Sequence, residues 1–80
     1  MKELVEYIVK SLVDEPEAVV VEEQNGRSHT IIELSVAQPD MGRVIGRNGR
    51  VINAIRQLLQ VRAAKEGLDV TLEVLEADRR

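Results

Sequence analysis

The stretch that decides the fold is VIGRNGR, residues 44–50, in which Gly46 and Gly49 bracket the polar pair Arg47 and Asn48. Because glycine has no Cβ, it lets a ligand approach the backbone closely, and the N–H groups that open a following helix point at a bound anion. Arginine adds a permanent charge and a planar set of donors that match phosphate oxygens. The stretch therefore predicts a loop between two helices that clamps a phosphodiester backbone.

Two further arginines, Arg43 and Arg50, flank this loop and are candidate phosphate contacts. Arg56 and Arg62 lie further along the following helix, where we expect solvent or partner contacts first. A plainer interpretation stays open, in which the glycines only end one helix and begin the next. No acidic residue stands between the glycines, so nothing in the loop itself would repel a phosphate.

Charge is segregated along the chain of 80 residues, whose net charge is −3. Residues 40–66 contain six basic and two acidic side chains, whereas the remainder contains five basic and twelve acidic ones. Salt screens charges beyond about 8–10 Å, so the local positive excess matters more to a ligand than the total. The alternative to a ligand-binding surface is that these arginines only line a helix face in contact with solvent.

The composition excludes several classes of protein. The length suits one small domain, and without cysteine the chain has neither disulfides nor a thiolate metal site. Tyr7 is the only aromatic residue, so no aromatic stacking platform for bases can form. His29 has no second histidine beside it, and no nucleophile motif is present, so we predict no catalytic residues, no metal and no cofactor. Lacking a signal peptide or membrane span, the chain is expected to be cytoplasmic.

Hydrophobic periodicity predicts six main elements in the order α-β-β-α-α-β. The predicted ranges are helix 2–13, strands 18–23 and 30–37, helices 40–45 and 50–66, and strand 70–75. Asn25-Gly26 predicts a tight hairpin turn, Asp40 an N-cap and Gly67 a C-cap. The expected fold is an α+β sandwich, with three helices on one face of a three-stranded mixed sheet. One domain should span residues 1–77, with 78–80 a frayed tail.

The long helix carries a wider apolar arc, roughly 200°, than the stripe of about 100° needed to cover one sheet. Ala54, Leu58 and Val61 form the edge of that arc and are candidates for a partner interface, such as a twofold dimer. The alternative is that the first helix covers this edge.

The residues from Pro39 to Arg50, followed by Ala54-Ile55-Arg56, resemble the core of a type II KH domain. Together with the opening helix and residues 12–19, the likeness to the small bacterial proteins made of one such domain covers essentially the whole chain. Val51 and Ile52 depart from the small or hydroxylated residues common in that family, and they could crowd the entry to the helix.

This resemblance implies a non-catalytic protein that binds about four nucleotides of single-stranded RNA with little sequence preference. It also places Ile45 in a groove for the bases. It further implies association with itself or with a larger KH-containing protein, and a role as an RNA chaperone in RNA regulation linked to cell shape, elongation and division. Two alternatives remain: a protein-interaction or dimerisation module in which RNA is secondary, and binding of single-stranded DNA.

Overall fold

The computed structural model describes residues 1–75 of the chain. The elements, in chain order, are helix α1 (Lys2–Leu12), strands β1 (Val20–Asn25) and β2 (His29–Ser35), helices α2 (Met41–Ile45) and α3 (Arg50–Lys65), and strand β3 (Asp69–Val74). Every predicted element is present in the predicted order, with boundaries within two residues. The predicted domain limit at residue 77 and the tail 78–80 lie outside the described residues.

The three strands form one sheet in the order β1-β2-β3. β1 and β2 pair antiparallel, with Val20 opposite Ser35 and Asn25 opposite Thr30. The chain then crosses over through α2 and α3, and β3 pairs parallel to β2. A crossover of this length is what a parallel connection requires. The predicted mixed sheet is confirmed.

All three helices cover the same face of this sheet. The alternating residues Ile32 and Leu34 of β2 are fully buried there, beside Val70 and Leu72 of β3. The helices contribute these buried side chains: Val5, Val9, Val44, Ile52, Ile55, Leu59 and Ala63. Two layers thus enclose one aliphatic core, and the predicted α+β sandwich is confirmed.

The hairpin between β1 and β2 differs from the predicted tight Asn-Gly turn. Three residues connect the strands, and neither Asn25 nor Gly26 has a positive φ. The Gly26 N–H donates to the His29 carbonyl at 2.7 Å, and the Thr30 hydroxyl donates to the Asn25 side-chain oxygen at 2.9 Å. Because Asn25 is held as the last strand residue by this pairing, it is not available for the left-handed position of a two-residue turn.

Asp40 precedes α2 as predicted, but its side chain does not cap that helix. Its carboxylate, only 1% exposed, instead accepts the backbone N–H groups of Asp14 at 3.0 Å and Glu15 at 3.1 Å. The prediction of a side-chain N-cap is therefore wrong. The residue joins the turn after α1 to the segment that leads into the glycine loop, and so helps to position that loop.

Candidate nucleic-acid interface

The glycine loop connects α2 to α3 through a sharp change of backbone direction. α2 ends at Ile45, and Gly46 follows with φ 77° and ψ 171°. The Gly46 N–H donates to the Gly42 carbonyl at 2.8 Å, which closes the last turn of α2. One tight turn, Arg47–Gly49, in which the Gly49 N–H donates to the Gly46 carbonyl at 3.1 Å, leads directly into α3. The predicted loop between two helices is therefore present.

Glycine is required at position 46 for two reasons: Val51 packs against it, and its backbone angles suit glycine. A Cβ added at Gly46 would lie 2.5 Å from Val51 Cγ2 and 2.8 Å from the Val51 backbone nitrogen. The missing Cβ thus makes room for Val51, which is a requirement of the fold in addition to the close ligand approach predicted from sequence. The crowding expected from Val51 is accommodated at this contact, and Ile52 is buried in the core.

Arg47 and Asn48 form the exposed tip of the loop. Asn48 has φ 56° and ψ 26°, and Gly49 follows with φ 78° and ψ 15°. Two consecutive left-handed residues reverse the chain and keep both tip side chains in solvent. Asn is among the few residues that adopt this conformation readily, which is why it suits position 48.

The N-terminus of α3 opens beside this tip. Gly49 is the N-cap and has no side chain, so no side-chain hydrogen bond caps the helix. The first-turn N–H groups of a helix have no partner within the helix, and they carry the positive end of its dipole. The Arg50 N–H already donates to the Arg47 carbonyl, and the remaining first-turn N–H groups are donors of the kind that bind an anion at a helix start.

The three arginines around the loop are all exposed, but they differ in their partners. Arg43 Nη2 lies 3.3 Å from the Asp14 carboxylate in an exposed ion pair, which is a weak interaction in water. Within residues 1–75, neither Arg47 nor Arg50 forms an ion pair. These two guanidinium groups are therefore the ones free to meet an incoming anion.

The aliphatic residues beside the loop separate into core and surface. Val44 and Ile32 are fully buried in the core. Ile45 is half-buried and packs at the edge of the core, next to the loop. Of Val44, Ile32 and Ile45, only Ile45 therefore has solvent-accessible surface beside the glycine loop, where the groove for the bases is predicted.

Sequence reasoning missed a polar face of α3 that runs from the loop to the edge of the sheet. Arg56 Nε donates to the Leu72 carbonyl at 3.2 Å, and Gln60 Nε2 donates to the Val70 carbonyl at 2.8 Å. Arg56 is exposed to solvent, as predicted, but its Nε also bonds to β3. The helical spacing of Asn53, Arg56 and Gln60 was the available signal, since residues three and four apart share a face.

An open cavity of about 320 Å³ lies between this face of α3 and strand β3. Leu59, Val70 and Leu72 supply apolar lining, and Arg56 and Gln60 supply hydrogen-bonding groups. An apolar lining with a few polar groups is the combination found in many binding sites for small molecules.

The apolar edge predicted on α3 is exposed. Leu58 is 55% and Val61 61% exposed, and Ala54 is exposed as well, so α1 does not cover them. They lie roughly 130° around the helix axis from the polar face that lines the cavity. Ligand binding at the loop and protein contact at this edge would thus use separate surfaces.

Other side chains offer no competing site within residues 1–75. There, no group of acidic, histidine or cysteine residues is arranged to hold a metal ion. His29 is exposed in the sheet, where its Nε2 lies 3.2 Å from the Thr71 hydroxyl. In the same part of the chain, no helix has the length and apolar composition needed to cross a membrane.

Comparison with known proteins identifies close relatives. The family model for the KH domain of KhpA and KhpB matches residues 2–74. The RNA-binding protein KhpA of Chlamydia pneumoniae is 53% identical over 77 residues, which cover 95% of this chain and 97% of that protein. KhpA of Clostridium perfringens is 51% identical over 75 residues, covering 94% of this chain and all of that protein.

Solved structures share the fold at lower identity. Aquifex aeolicus Era Y63A bound to GDP.AlF4⁻ superposes with a TM-score of 0.64 at 20% identity, covering 95% of this chain but 29% of Era. Era in complex with MgGDPNP and nucleotides 1506–1542 of 16S ribosomal RNA gives 0.58 at 23% identity, with the same coverage. The expectation of a non-enzymatic KH protein is confirmed by the sequence relatives: this chain belongs to the KhpA/KhpB family of KH domains.

Proposed function

We propose that this protein binds single-stranded RNA by clamping the sugar-phosphate backbone with Gly46-Arg47-Asn48-Gly49, without catalysis. The observation that carries the proposal is the uncapped N-terminus of α3 beside the exposed tip of the loop. Relatives about half identical over nearly the whole chain are named RNA-binding proteins, which supports the same ligand.

Phosphate contacts would come from two kinds of donor. One kind is the first-turn N–H groups of α3 other than that of Arg50, which donates to the Arg47 carbonyl. The other kind is the guanidinium groups of Arg47, Arg50 and Arg43 around the loop. Arg43 would have to exchange its exposed contact with Asp14 for a phosphate, at little cost. Ile45 offers an apolar surface on which a base can rest. Backbone clamping of about four nucleotides predicts modest affinity and little sequence preference.

The proposal is tested by fluorescence anisotropy with a labelled pool of single-stranded RNA at several salt concentrations. The double variant Arg47→Asp/Asn48→Asp should abolish binding. The matched control is Arg27→Asp/Ser28→Asp, which makes the same change in charge in the hairpin loop beside the start of β3. If both variants fold by circular dichroism and bind as the wild type does, or if the wild type binds no RNA, the clamp is excluded. Competition with DNA of identical sequence decides between RNA and single-stranded DNA.

A second candidate function, as a protein-interaction module, is favoured by the exposure of Leu58 and Val61. An apolar edge of this kind suits a twofold contact in which α3 packs against α3 of a second copy. We propose a homodimer through Ala54, Leu58 and Val61. In sedimentation velocity, Leu58→Glu/Val61→Glu should give a monomer, whereas Tyr7→Glu, which alters an exposed side chain of α1, should leave the dimer intact.

The same edge is the proposed contact for a larger KH-containing partner of the KhpB type. A heterodimer would be indicated if the wild type is monomeric alone but forms an equimolar complex with such a protein. The variant Leu58→Glu/Val61→Glu should then fail to form that complex. A role in cell elongation and division is part of the proposal. It predicts that a deletion changes cell length and that the clamp variant fails to restore it.

A further inference from the structure

We propose that Asp14 competes with the phosphate group of RNA for Arg43, so that one of the three arginines around the glycine loop is occupied in the free protein. This inference rests on the proposed binding of single-stranded RNA at that loop. It goes beyond that function by assigning control of RNA affinity to a residue outside the clamp, in the turn after α1.

The first argument is that Arg43 already contacts an anion before RNA arrives. Arg43 Nη2 lies 3.3 Å from Asp14 Oδ2, whereas Arg47 and Arg50 form no ion pair within residues 1–75. A carboxylate and a phosphate offer a guanidinium group the same kind of charged oxygen acceptor. If Arg43 contacted both at once, it would hold two anions side by side, and these repel one another. A phosphate must therefore displace Asp14 to gain the full contact with Arg43.

The second argument is that the backbone of Asp14 is fixed beside α2. The buried carboxylate of Asp40 accepts the N–H groups of Asp14 at 3.0 Å and Glu15 at 3.1 Å. Asp40 directly precedes α2, the helix that carries Arg43. The turn after α1 is thus fastened to the start of α2, and the aspartate side chain has a single methylene group before its carboxyl. The Asp14 carboxylate therefore stays close to Arg43 when a phosphate binds there.

The third argument is that this ion pair lies close to the glycine loop. Arg43 precedes Gly46 by three residues, which is about 4.5 Å along a helix axis. Charges at such separations are only partly screened, because the screening length is about 8–10 Å in physiological salt. Once displaced, the Asp14 carboxylate also repels the phosphate that replaced it. The contact therefore opposes RNA binding in two ways, by occupying Arg43 and by repulsion.

The effect on affinity is expected to be modest. The two side chains are well exposed, 58% for Arg43 and 71% for Asp14, so water and salt weaken their attraction. We expect the contact to lower the affinity for RNA by about threefold, which lies within the range for exposed ion pairs. A contact of this strength lowers the affinity without preventing binding.

The test measures the affinity for a labelled pool of single-stranded RNA by fluorescence anisotropy. Asp14→Asn keeps the shape of the side chain and removes its charge, so it should bind RNA about threefold more tightly than the wild type, and the gain should shrink in 1 M salt. Glu15→Gln is the matched control. Glu15 is the next residue, its N–H is held by the same Asp40 carboxylate, and it forms no ion pair within residues 1–75. This control should change the affinity by less than about 1.5-fold.

A double-mutant cycle separates competition for Arg43 from repulsion at a distance. Arg43→Gln should bind RNA more weakly than the wild type, because it removes a phosphate contact. Adding Asp14→Asn to Arg43→Gln should raise the affinity by less than about 1.5-fold, because no guanidinium group remains to be released. A merely structural role of Asp14 would not depend on Arg43 in this way. Thermal unfolding by circular dichroism confirms that each variant is folded.

The outcomes separate this inference from the proposed function. If Asp14→Asn binds RNA no more tightly than the wild type, the competition is overturned while the clamp remains. A weaker affinity also overturns it, because Asp14 would then position Arg43 for the phosphate. Equal gains in Asp14→Asn and Glu15→Gln, or a full gain in the Arg43→Gln background, overturn the assignment to the ion pair. Absence of RNA binding by the wild type and by Asp14→Asn overturns the proposed function and this inference with it.

Discussion

Gly46 and Val51 lie so close together that any side chain at position 46 would collide with the start of α3. A Cβ there would stand 2.5 Å from Val51 Cγ2 and 2.9 Å from Val51 Cβ. The backbone of Gly46, with φ 77° and ψ 171°, also lies in a region that is essentially restricted to glycine. The turn out of α2 is therefore locked against the first turn of α3, and this contact sets the shape of the clamp.

Gly46→Ala is expected to lower the free energy of unfolding by about 3 kcal/mol, from backbone strain and overpacking together. The matched control is Gly42→Ala, because Gly42 lies within α2 and a Cβ there meets nothing within 4 Å. That substitution should raise stability by about 0.5–1 kcal/mol. Urea unfolding followed by circular dichroism measures both.

Adding Val51→Ala to Gly46→Ala should recover only part of the loss. The second substitution removes the Cγ2 contact, but the Val51 backbone nitrogen remains 2.8 Å from the added Cβ, and the strained φ remains too. Full recovery by the double variant would show that side-chain packing alone requires the glycine.

Asp40→Ala should destabilise the protein by about 2–3 kcal/mol, because it removes a buried carboxylate that accepts two backbone N–H groups. Asp14→Ala is the control, since it deletes an exposed ion-pair partner but keeps the backbone N–H, and it should cost less than about 0.5 kcal/mol. Chemical unfolding measures the free energy of unfolding of both variants. A similar decrease in the two would contradict this account of Asp40.

The open face of the sheet carries three glutamates in one row across the strands. Glu22 pairs with Glu33, and Glu33 pairs with Glu73, so like charges stand directly opposite one another. Glu33→Gln should therefore stabilise the protein by about 0.5 kcal/mol, and the gain should shrink in 1 M salt. Glu17→Gln, in the turn after α1, should change stability little at either salt concentration. A gain that does not depend on salt would argue against charge repulsion.

Arg50→Gln should weaken RNA binding and reduce the slope of log affinity against log salt by about 0.7, the value for one single-strand phosphate contact. Arg62→Gln removes the same charge from α3 at a site paired with Glu66, and it should leave the slope unchanged. Equal slopes for Arg50→Gln and the wild type would exclude Arg50 as a phosphate contact.

Much of the fold could be predicted because each element has a strong local pattern. The apolar spacing of α1, the alternation in β2 and the paired glycines of the loop all report on their own conformation. The prediction of a two-residue Asn-Gly turn was wrong because a hydrogen bond from Thr30 holds Asn25 in the strand. The prediction that the Asp40 side chain caps α2 was wrong because the side chain bonds to Asp14 and Glu15, which are 26 and 25 residues away in sequence. Neither contact can be predicted from the conformational preferences of the residues nearby in sequence.

The sequence locates the glycine loop, but it does not predict which residues surround it. The place of Arg56 depends on where β3 lies relative to α3, and on which backbone carbonyls that strand turns outward. Both follow from the parallel pairing of β2 and β3, which brings Ser28 beside Asp69. The contacts of a charged residue on a helix face depend on the strand beside it, so the sequence predicts Arg56 only as a solvent or partner contact and does not predict its bond to β3.

From the hydrogen bonds of Arg56 and Gln60 to the carbonyls of β3, we expect a further effect, which is protection of the protein against aggregation. An uncovered strand edge is a template for sheet growth, in which further copies add strand by strand toward an amyloid-like fibre. Here two long side chains occupy the acceptors that an added strand would need. Removing both at once would leave the native core intact yet open that edge, so colloidal stability at high concentration depends on the pair.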